Sequence, residues 1–199
     1  MKKEIVIGGA GLSGLSLAIL LAQKNWKVTV IEKGDFPKHK VCGEYLSMES
    51  WDFLKKLDLD LEKYSLPLID HFELWNHKQK IAEAKLPLKG LGISRYLLDD
   101  LLYQKAKFLG VEFQLNNRIL KVEYNNGFYL VKCKKNEINT SIYVSSTGKE
   151  KDVTHPQKSG SDKNEYIAVK YHLKTKVQIP ASVALHLFPG GYALSLIHI

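Results

Sequence analysis

The feature that most constrains this chain is Gly9-Ala10-Gly11-Leu12-Ser13-Gly14, set between an apolar strand and an apolar helix. Glu4 to Ile7 reads as the strand, Gly8 to Gly14 as a glycine-rich turn and Leu15 to Lys24 as the helix, which has almost no polar side. Asn25 stands where that helix must end, since Asn tolerates the left-handed conformation. Lys27 to Glu32 is a second strand, buried through Val28, Val30 and Ile31. This strand–helix–strand unit needs each of its glycines for a physical reason. Gly9 permits a tight turn, Gly11 keeps a side chain out of the path of a pyrophosphate, and Gly14 allows close packing of the helix. The helix N-terminus presents unpaired N–H groups and partial positive charge to phosphates. Glu32, ending the second strand, is placed to accept hydrogen bonds from ribose hydroxyls and to repel a 2′-phosphate. The motif alone leaves NAD and FAD both open and disfavours NADP as the ligand of this unit.

The remainder of the chain extends the α/β pattern. A polar loop from Lys33 to Tyr45 precedes an expected helix from Ser47 to Leu57. His71 to Leu86 reads as a hairpin with Asn76 to Gln79 at its tip. Ser94 is placed to cap a helix whose stripe is Leu97, Leu98, Leu101, Leu102 and Leu109, with Gly110 as its stop. Val111 to Leu115 is an expected strand, and Asn126-Gly127 is a hairpin turn signal between two more. Ile142 to Ser146 is expected to rejoin the parallel sheet. Residues 149–164 are polar, with Pro156 and Gly160, and read as a linker or loop. The alternations Ile167, Val169, Tyr171, Leu173 and Val183, Leu185, Leu187 read as strands of a second, antiparallel region.

Three further stretches resemble the FAD-dependent oxidoreductase superfamily, in particular its geranylgeranyl reductase and aromatic hydroxylase groups. Val41-Cys42-Gly43-Glu44 is similar to the Cys-Gly loop of the reductases, which the resemblance places near the flavin. Ile93-Ser94-Arg95, with Leu98-Asp99 and Leu102, resembles their Arg-containing helix start, and Gly190-Gly191-Tyr192 resembles a Gly-Tyr element of their substrate domain. Thr147-Gly148 stands where the family often has Asp-Gly, and Asn25 stands where it usually has Gly. The resemblance implies an α/β fold: a Rossmann-like FAD-binding domain over 1–64 and 93–150, with an antiparallel β-rich substrate domain, incomplete at the C-terminus, over 65–92 and 165–199. It implies cofactor contacts from Gly9 to Gly14 (Ala10, Leu12 and Ser13 included), Glu32, Lys33, Cys42, Gly43, Arg95, Thr147 and Gly148, with NAD(P)H as electron donor. No catalytic residue is singled out.

Several residues keep two readings. Arg95 opposes the dipole of the helix it opens, at a cost of roughly 0.3–1 kcal/mol, which a nearby pyrophosphate would offset; otherwise it is an exposed, screened charge. Cys42, close to Lys38, His39 and Lys40, either tunes a flavin or fills a tight Cys-Gly turn. Glu44 either positions substrate or faces solvent.

Other function classes fall away. The balance of 29 basic and 21 acidic residues is +8, but the lysines are scattered and no nucleic-acid-binding signature accompanies them, so no nucleic-acid partner is expected. Cys42 and Cys133 form no CxxC pair and the histidines show no ligand spacing, so no metal is expected and a reducing cytoplasm fits. Lys2 and Lys3 before an apolar stretch imitate a signal peptide, but the glycines interrupt it, and Leu15 to Ala22 is too short to span a bilayer. There is no GxSxG elbow for hydrolase chemistry. The expected activity is hydride transfer from reduced flavin to an apolar unsaturated small molecule, which leaves peripheral membrane contact open. The alternatives are a flavin monooxygenase and a non-catalytic dinucleotide-binding module. Oligomeric state has no sequence signal. Leu194 to Ile199 matches the translation of a common sequencing-adapter end, in which case native sequence stops near Ala193, or it is a genuine short strand; the chain is expected to be a truncated, inactive fragment.

Overall fold

The computed structural model describes residues 3–148, 167–174, 176 and 181–196. The chain divides into two compact units, residues 1–38 with 99–165 and residues 39–98 with 166–199.

The first unit is built on an all-parallel four-stranded sheet. β1 (Glu4–Gly8) lies between β2 (Lys27–Ile31) and a strand near the end of the unit. The connection from β1 to β2 is α1 (Leu12–Ala22), whose buried residues Gly14, Leu15, Ala18 and Ile19 follow the helical spacing of one packed face. Full burial of Leu15 and Ile19 stabilises the layer by about 1.5–3 kcal/mol for each side chain. The helix begins three residues before the sequence reading had it, because Gly11 adopts the extended conformation of an N-cap and its carbonyl accepts from Leu15 N–H at 2.9 Å. Asn25 has φ 59°, the left-handed conformation expected of it.

The second unit has a five-stranded sheet. β3 (Tyr45–Ser47) is followed by one 3-10 turn and by α2 (Trp51–Lys56), so the helix expected over Ser47 to Leu57 is only its second half. The first half is strand and tight turn because Tyr45, Leu46 and Ser47 pair with Gly92, Leu91 and Gly90. β4 (Leu68–Trp75) and β5 (Lys80–Gly92) form the expected hairpin, closed at its tip by Asn76, whose side chain accepts from Lys78 and Gln79 N–H. α3 (Arg95–Phe108) is capped by Ser94 Oγ, which accepts from Leu97 N–H at 3.2 Å, and stops at Gly110 with φ 83°. The division between the units falls within this helix.

β6 (Glu112–Gln114) pairs in parallel with β2. β7 (Ile119–Asn125) and β8 (Phe128–Cys133) flank Asn126-Gly127, both of positive φ as a two-residue hairpin turn requires. β9 (Glu137–Thr140), which the sequence reading missed, completes a three-stranded sheet on β8. β10 (Tyr143–Ser145) rejoins the parallel sheet beside β1, as expected, giving the order β10-β1-β2-β6. Val6 and Ile31 of the parallel sheet share one core with Ile119, Val131 and Cys133 of the three-stranded sheet. Burial pushes the Cys133 thiol above its ordinary pKa, as befits a packing residue.

β11 (Ser182–Phe188) and β12 (Gly191–Ser195) complete the second sheet in the order β12-β11-β4-β5-β3. Two expectations for this region change. β11 pairs with β4 in parallel, so the region is mixed rather than antiparallel. Residues 167–174 form no strand, and Ile167, Val169, Tyr171 and Leu173 are exposed, while Lys170 is half-buried against Glu44. The domain division also shifts. Residues 39–64 and 93–98, given to the first domain from sequence, group with the second unit, in which β3 is an edge strand of the sheet. The expected linker over 149–164 lies outside the described residues. Among the described residues, no helix is long and apolar enough to cross a membrane.

Candidate functional site

The C-terminal ends of β1, β2 and β10 meet around the glycine loop. Gly9 N–H donates to Ile31 O at 2.8 Å, and Ser146 N–H donates to Gly8 O at 2.7 Å, so the loop leaves the sheet while still tied to both neighbours. In parallel α/β sheets this end is where ligands bind.

The three motif glycines are required for different reasons. Gly9 has φ 97°, and a Cβ there would lie 2.6 Å from Ser146 O. A Cβ on Gly14 would lie 2.0 Å from Gly9 O, so this glycine seats α1 on the loop itself. A Cβ on Gly11 would meet nothing within 4 Å. Neither packing nor backbone strain explains Gly11; the open space in front of it is the approach that a pyrophosphate requires. Beside it, Leu12, Ser13 and Gly14 N–H precede the first helical bond at Leu15, which leaves them to satisfy an anion. Ala10 is fully buried, and Ser13 is exposed at the mouth of the loop.

Glu32 joins the second half of the site to the first. It is 6% exposed, and its Oε2 accepts from Ala10 N–H at 2.8 Å. Its Oε1 accepts from Gly34 N–H at 3.1 Å and from Lys38 Nζ at 2.6 Å. Burial by itself would raise the carboxyl pKa, but the Lys38 bond and the two backbone donors outweigh it and hold the group below its ordinary value of 4.5. An ionised carboxylate offers about four lone-pair sites, so three bonds leave room for one hydroxyl donor. Lys33 projects to solvent from the position after Glu32.

Ser146 is a residue the sequence reading missed as part of the loop. Its hydroxyl lies 2.9 Å from Gly8 O and 2.8 Å from Gly9 O, and one proton must be shared between them. Only its position as the last residue of a strand expected to rejoin the sheet could have pointed to it. The chain then passes the loop at Thr147, whose Cα lies 3.1 Å from the Cβ position of Gly9, and turns at Gly148 with φ 75°. The structure thus brings Gly9 to Gly14, Glu32, Lys33, Thr147 and Gly148 together in the first unit.

Cys42, Gly43 and Arg95 belong to the second unit. Cys42 Sγ accepts from Glu44 N–H at 3.4 Å, so this thiol shapes the Cys-Gly turn. A Cβ on Gly43 would press on Leu194 at 3.1 Å. Glu44, which sequence left between a substrate contact and a solvent-facing residue, is 4% exposed with φ 60°. Its carboxylate accepts from Arg95 N–H at 2.8 Å and Lys170 Nζ at 2.6 Å, and it lies 3.0 Å from His172 Nε2. A carboxylate therefore sits at the start of α3, where the dipole favours negative charge and where the cationic Arg95 otherwise opposes it. Nothing in the sequence pattern pointed to this cluster. Among the described residues, no group of His, Cys, Asp and Glu side chains is arranged to hold a metal.

The loop, helix and acidic strand end give the first unit a Rossmann-like fold, and the residues present would fit an ADP moiety. Residues 7–37 match the family of NAD(P)-binding Rossmann-like domains. Two curated relatives are similar over most of the chain: conditioned medium factor receptor 1 of Dictyostelium discoideum, 26% identical over 71% of the chain, and an uncharacterised protein of Methanosarcina barkeri, 29% identical over 74%. The chain spans about a third of the length of these relatives, 31% and 38%. Among solved structures, a flavoprotein/dehydrogenase from Cytophaga hutchinsonii superposes with a TM-score of 0.71 at 16% identity, covering 92% of this chain and 50% of that one. A triple mutant of the flavin-dependent brominase Bmp2 superposes at 0.60 and 23% identity, covering 74% and 39%. The tetrameric form of 2-methyl-3-hydroxypyridine-5-carboxylic acid oxygenase superposes at 0.61 and 22% identity, covering 70% and 38%. The chain therefore shares its fold with parts of these three structures.

Proposed function

We propose that the chain forms the cofactor-binding part of an FAD-dependent oxidoreductase. The observation that carries this reading is the unobstructed Gly11 at the start of α1, backed by the buried Glu32. Gly9 to Gly14 and the first turn of α1 hold the pyrophosphate, and Glu32 accepts from the adenosine ribose. Lys33 and the Thr147-Gly148 turn add polar contacts from the same loop cluster. Cys42, Gly43 and Arg95 are assigned to the same cofactor by resemblance alone.

Bound flavin would supply two-electron chemistry, with NAD(P)H as the donor; the protein's part is to bind, orient and exclude water. The specific reading is reduction of an apolar unsaturated small molecule, in the manner of geranylgeranyl reductases. A monooxygenase is the second reading, favoured by the likeness to structures titled oxygenase and brominase. Anaerobic alkene reduction supports the first reading, and oxygen-dependent NAD(P)H consumption with a hydroxylated product supports the second. The visible spectrum of the purified protein after FAD titration, with NAD titrated in parallel, tests the common ground. Binding of NAD but not FAD overturns the flavin reading.

A further inference from the structure

Ser146, the residue after β10, is tied to the glycine loop by both its backbone and its side chain. Its N–H donates to Gly8 O at 2.7 Å. Its hydroxyl lies 2.9 Å from Gly8 O and 2.8 Å from Gly9 O. Since Gly8 O already holds the N–H, Gly9 O is the carbonyl that depends on the hydroxyl. The same oxygen stands 2.5 Å from where a Cβ on Gly14 would lie, in the space that this glycine leaves at the start of α1.

A trans peptide is planar, and its C=O and N–H point in opposite directions. The two peptide units that lead toward Gly11 are therefore each gripped at both ends. In the first, Gly8 O meets Ser146, and Gly9 N–H donates to Ile31 O at 2.8 Å. In the second, Gly9 O meets the Ser146 hydroxyl, and Ala10 N–H donates to Glu32 Oε2 at 2.8 Å. Gly9 has no side chain to hold that second plane by packing. The hydroxyl, the Gly9–Ala10 peptide and the Glu32 carboxylate thus form one hydrogen-bonded chain, in which each bond polarises the next. From this geometry we infer that Ser146 is a positioning residue for nucleotide binding. Its hydroxyl sets the Gly9–Ala10 peptide, and through it holds the glycine loop ahead of Gly11 and the Glu32 carboxylate in one fixed relation.

The inference rests on the dinucleotide reading, so its test pairs a measurement with ligand and one without. ADP-ribose, which carries both a pyrophosphate and the adenosine ribose, is titrated calorimetrically into the full chain. The Glu32 carboxyl is titrated by NMR in the free protein. Ser146→Ala is expected to weaken ADP-ribose binding about tenfold. Burial raises the Glu32 carboxyl pKa, while Lys38 and the Ala10 and Gly34 N–H groups lower it. With Ala10 a poorer donor, the Glu32 midpoint of Ser146→Ala is expected to move up while Lys38 stays as it is. A serine that only supports the fold would lower the melting temperature and leave both readings unmoved. Ser146→Cys, close in size with a weaker donor, is expected to fall between wild type and alanine, and replaces the alanine variant if melting curves show that one unfolded. A folded variant that binds ADP-ribose within about twofold of wild type, or keeps the wild-type Glu32 midpoint, overturns the inference alone. Wild-type protein that does not bind ADP-ribose overturns the dinucleotide reading and this inference with it.

Discussion

Each unit buries one glutamate at a glycine-containing loop, and the two are held in opposite ways. Glu32 takes its partners from nearby in the chain: Gly34 and Lys38 follow it closely, and Ala10 lies in the motif that precedes it. Glu44 takes its partners from far away, with Arg95 at a separation of 51 residues, Lys170 at 126 and His172 at 128. Backbone donors dominate the first site and side-chain nitrogens the second. A carboxylate held mainly by a local loop can present a lone pair to a ligand without its surroundings moving. One that closes a long-range cluster is committed to holding the fold.

The largest expected effect is on the second site. Glu44→Ala should destabilise the second unit by about 3 kcal/mol, because it leaves the largely buried Lys170 ammonium without its carboxylate and removes the acceptor at the start of α3. Urea unfolding followed at Trp51 and Trp75 measures this, and a loss below about 1 kcal/mol would erase the contrast.

Glu32→Gln is expected to cost about 1–2 kcal/mol of stability and more in ADP-ribose affinity, since the amide keeps the shape but loses the charge-assisted bonds. The pH dependence has a definite sign. The folded carboxyl pKa lies below its ordinary value of 4.5, so its contribution is complete above about pH 5 and is lost as pH falls through the lower folded value. The wild-type advantage over Glu32→Gln should therefore be flat from pH 5 to 8 and shrink in acid. An advantage that grows in acid would show the sign to be wrong.

Gly11→Asp should separate the two roles further. The position has extended N-cap geometry and open space, and Asp is a favoured N-cap residue, so stability should hold or rise by up to about 1 kcal/mol. Nucleotide binding should vanish, because the carboxylate enters the phosphate approach. Retained ADP-ribose affinity would show the phosphates to be elsewhere.

The smallest effect belongs to Glu123, which makes contacts with Lys121 at 2.6 Å and Lys132 at 2.8 Å with a side chain 29% exposed, against 8% for Glu32 and 2% for Glu44. Hydrogen bonds from Lys121 and Lys132 pull its carboxyl pKa down to about 2, which a carboxyl NMR titration would register. Glu123→Gln should nevertheless leave the melting temperature unchanged within error in moderate salt, because water solvates the charges as well when they are separate. A clear drop in melting temperature would mean that ion pairing without full burial is sufficient, and the comparison of the two buried glutamates would lose its point.

Much of the first unit was legible because its signals are local. A glycine that must adopt φ 97°, an Asn at φ 59° and an Asn-Gly turn each declare their conformation within a few residues. The hairpin tip at Asn76 and the Ser94 cap are equally short-range. The errors lie where pairing partners are distant. Ser47 to Leu57 looked helical until β5 claimed its start as a strand, and 167–174 alternates like a strand with a buried apolar face. Periodicity names two faces but cannot say which one meets a partner; here Lys170 and His172 reach Glu44, and the apolar side chains stay exposed.

Sequence by itself determined the strand–loop–helix–strand order, the position of the glycine loop and the acidic residue that follows β2, since each depends on steric rules acting over a few residues. Only the tertiary structure decided that Ser146 ties the loop to β10, that Lys38 shares the carboxylate of Glu32 and that Glu44 is buried. The reason is the same in all three. A hydrogen bond or ion pair is set by distance in space, and the spacing of residues along a chain does not specify that distance until the sheet registers are formed.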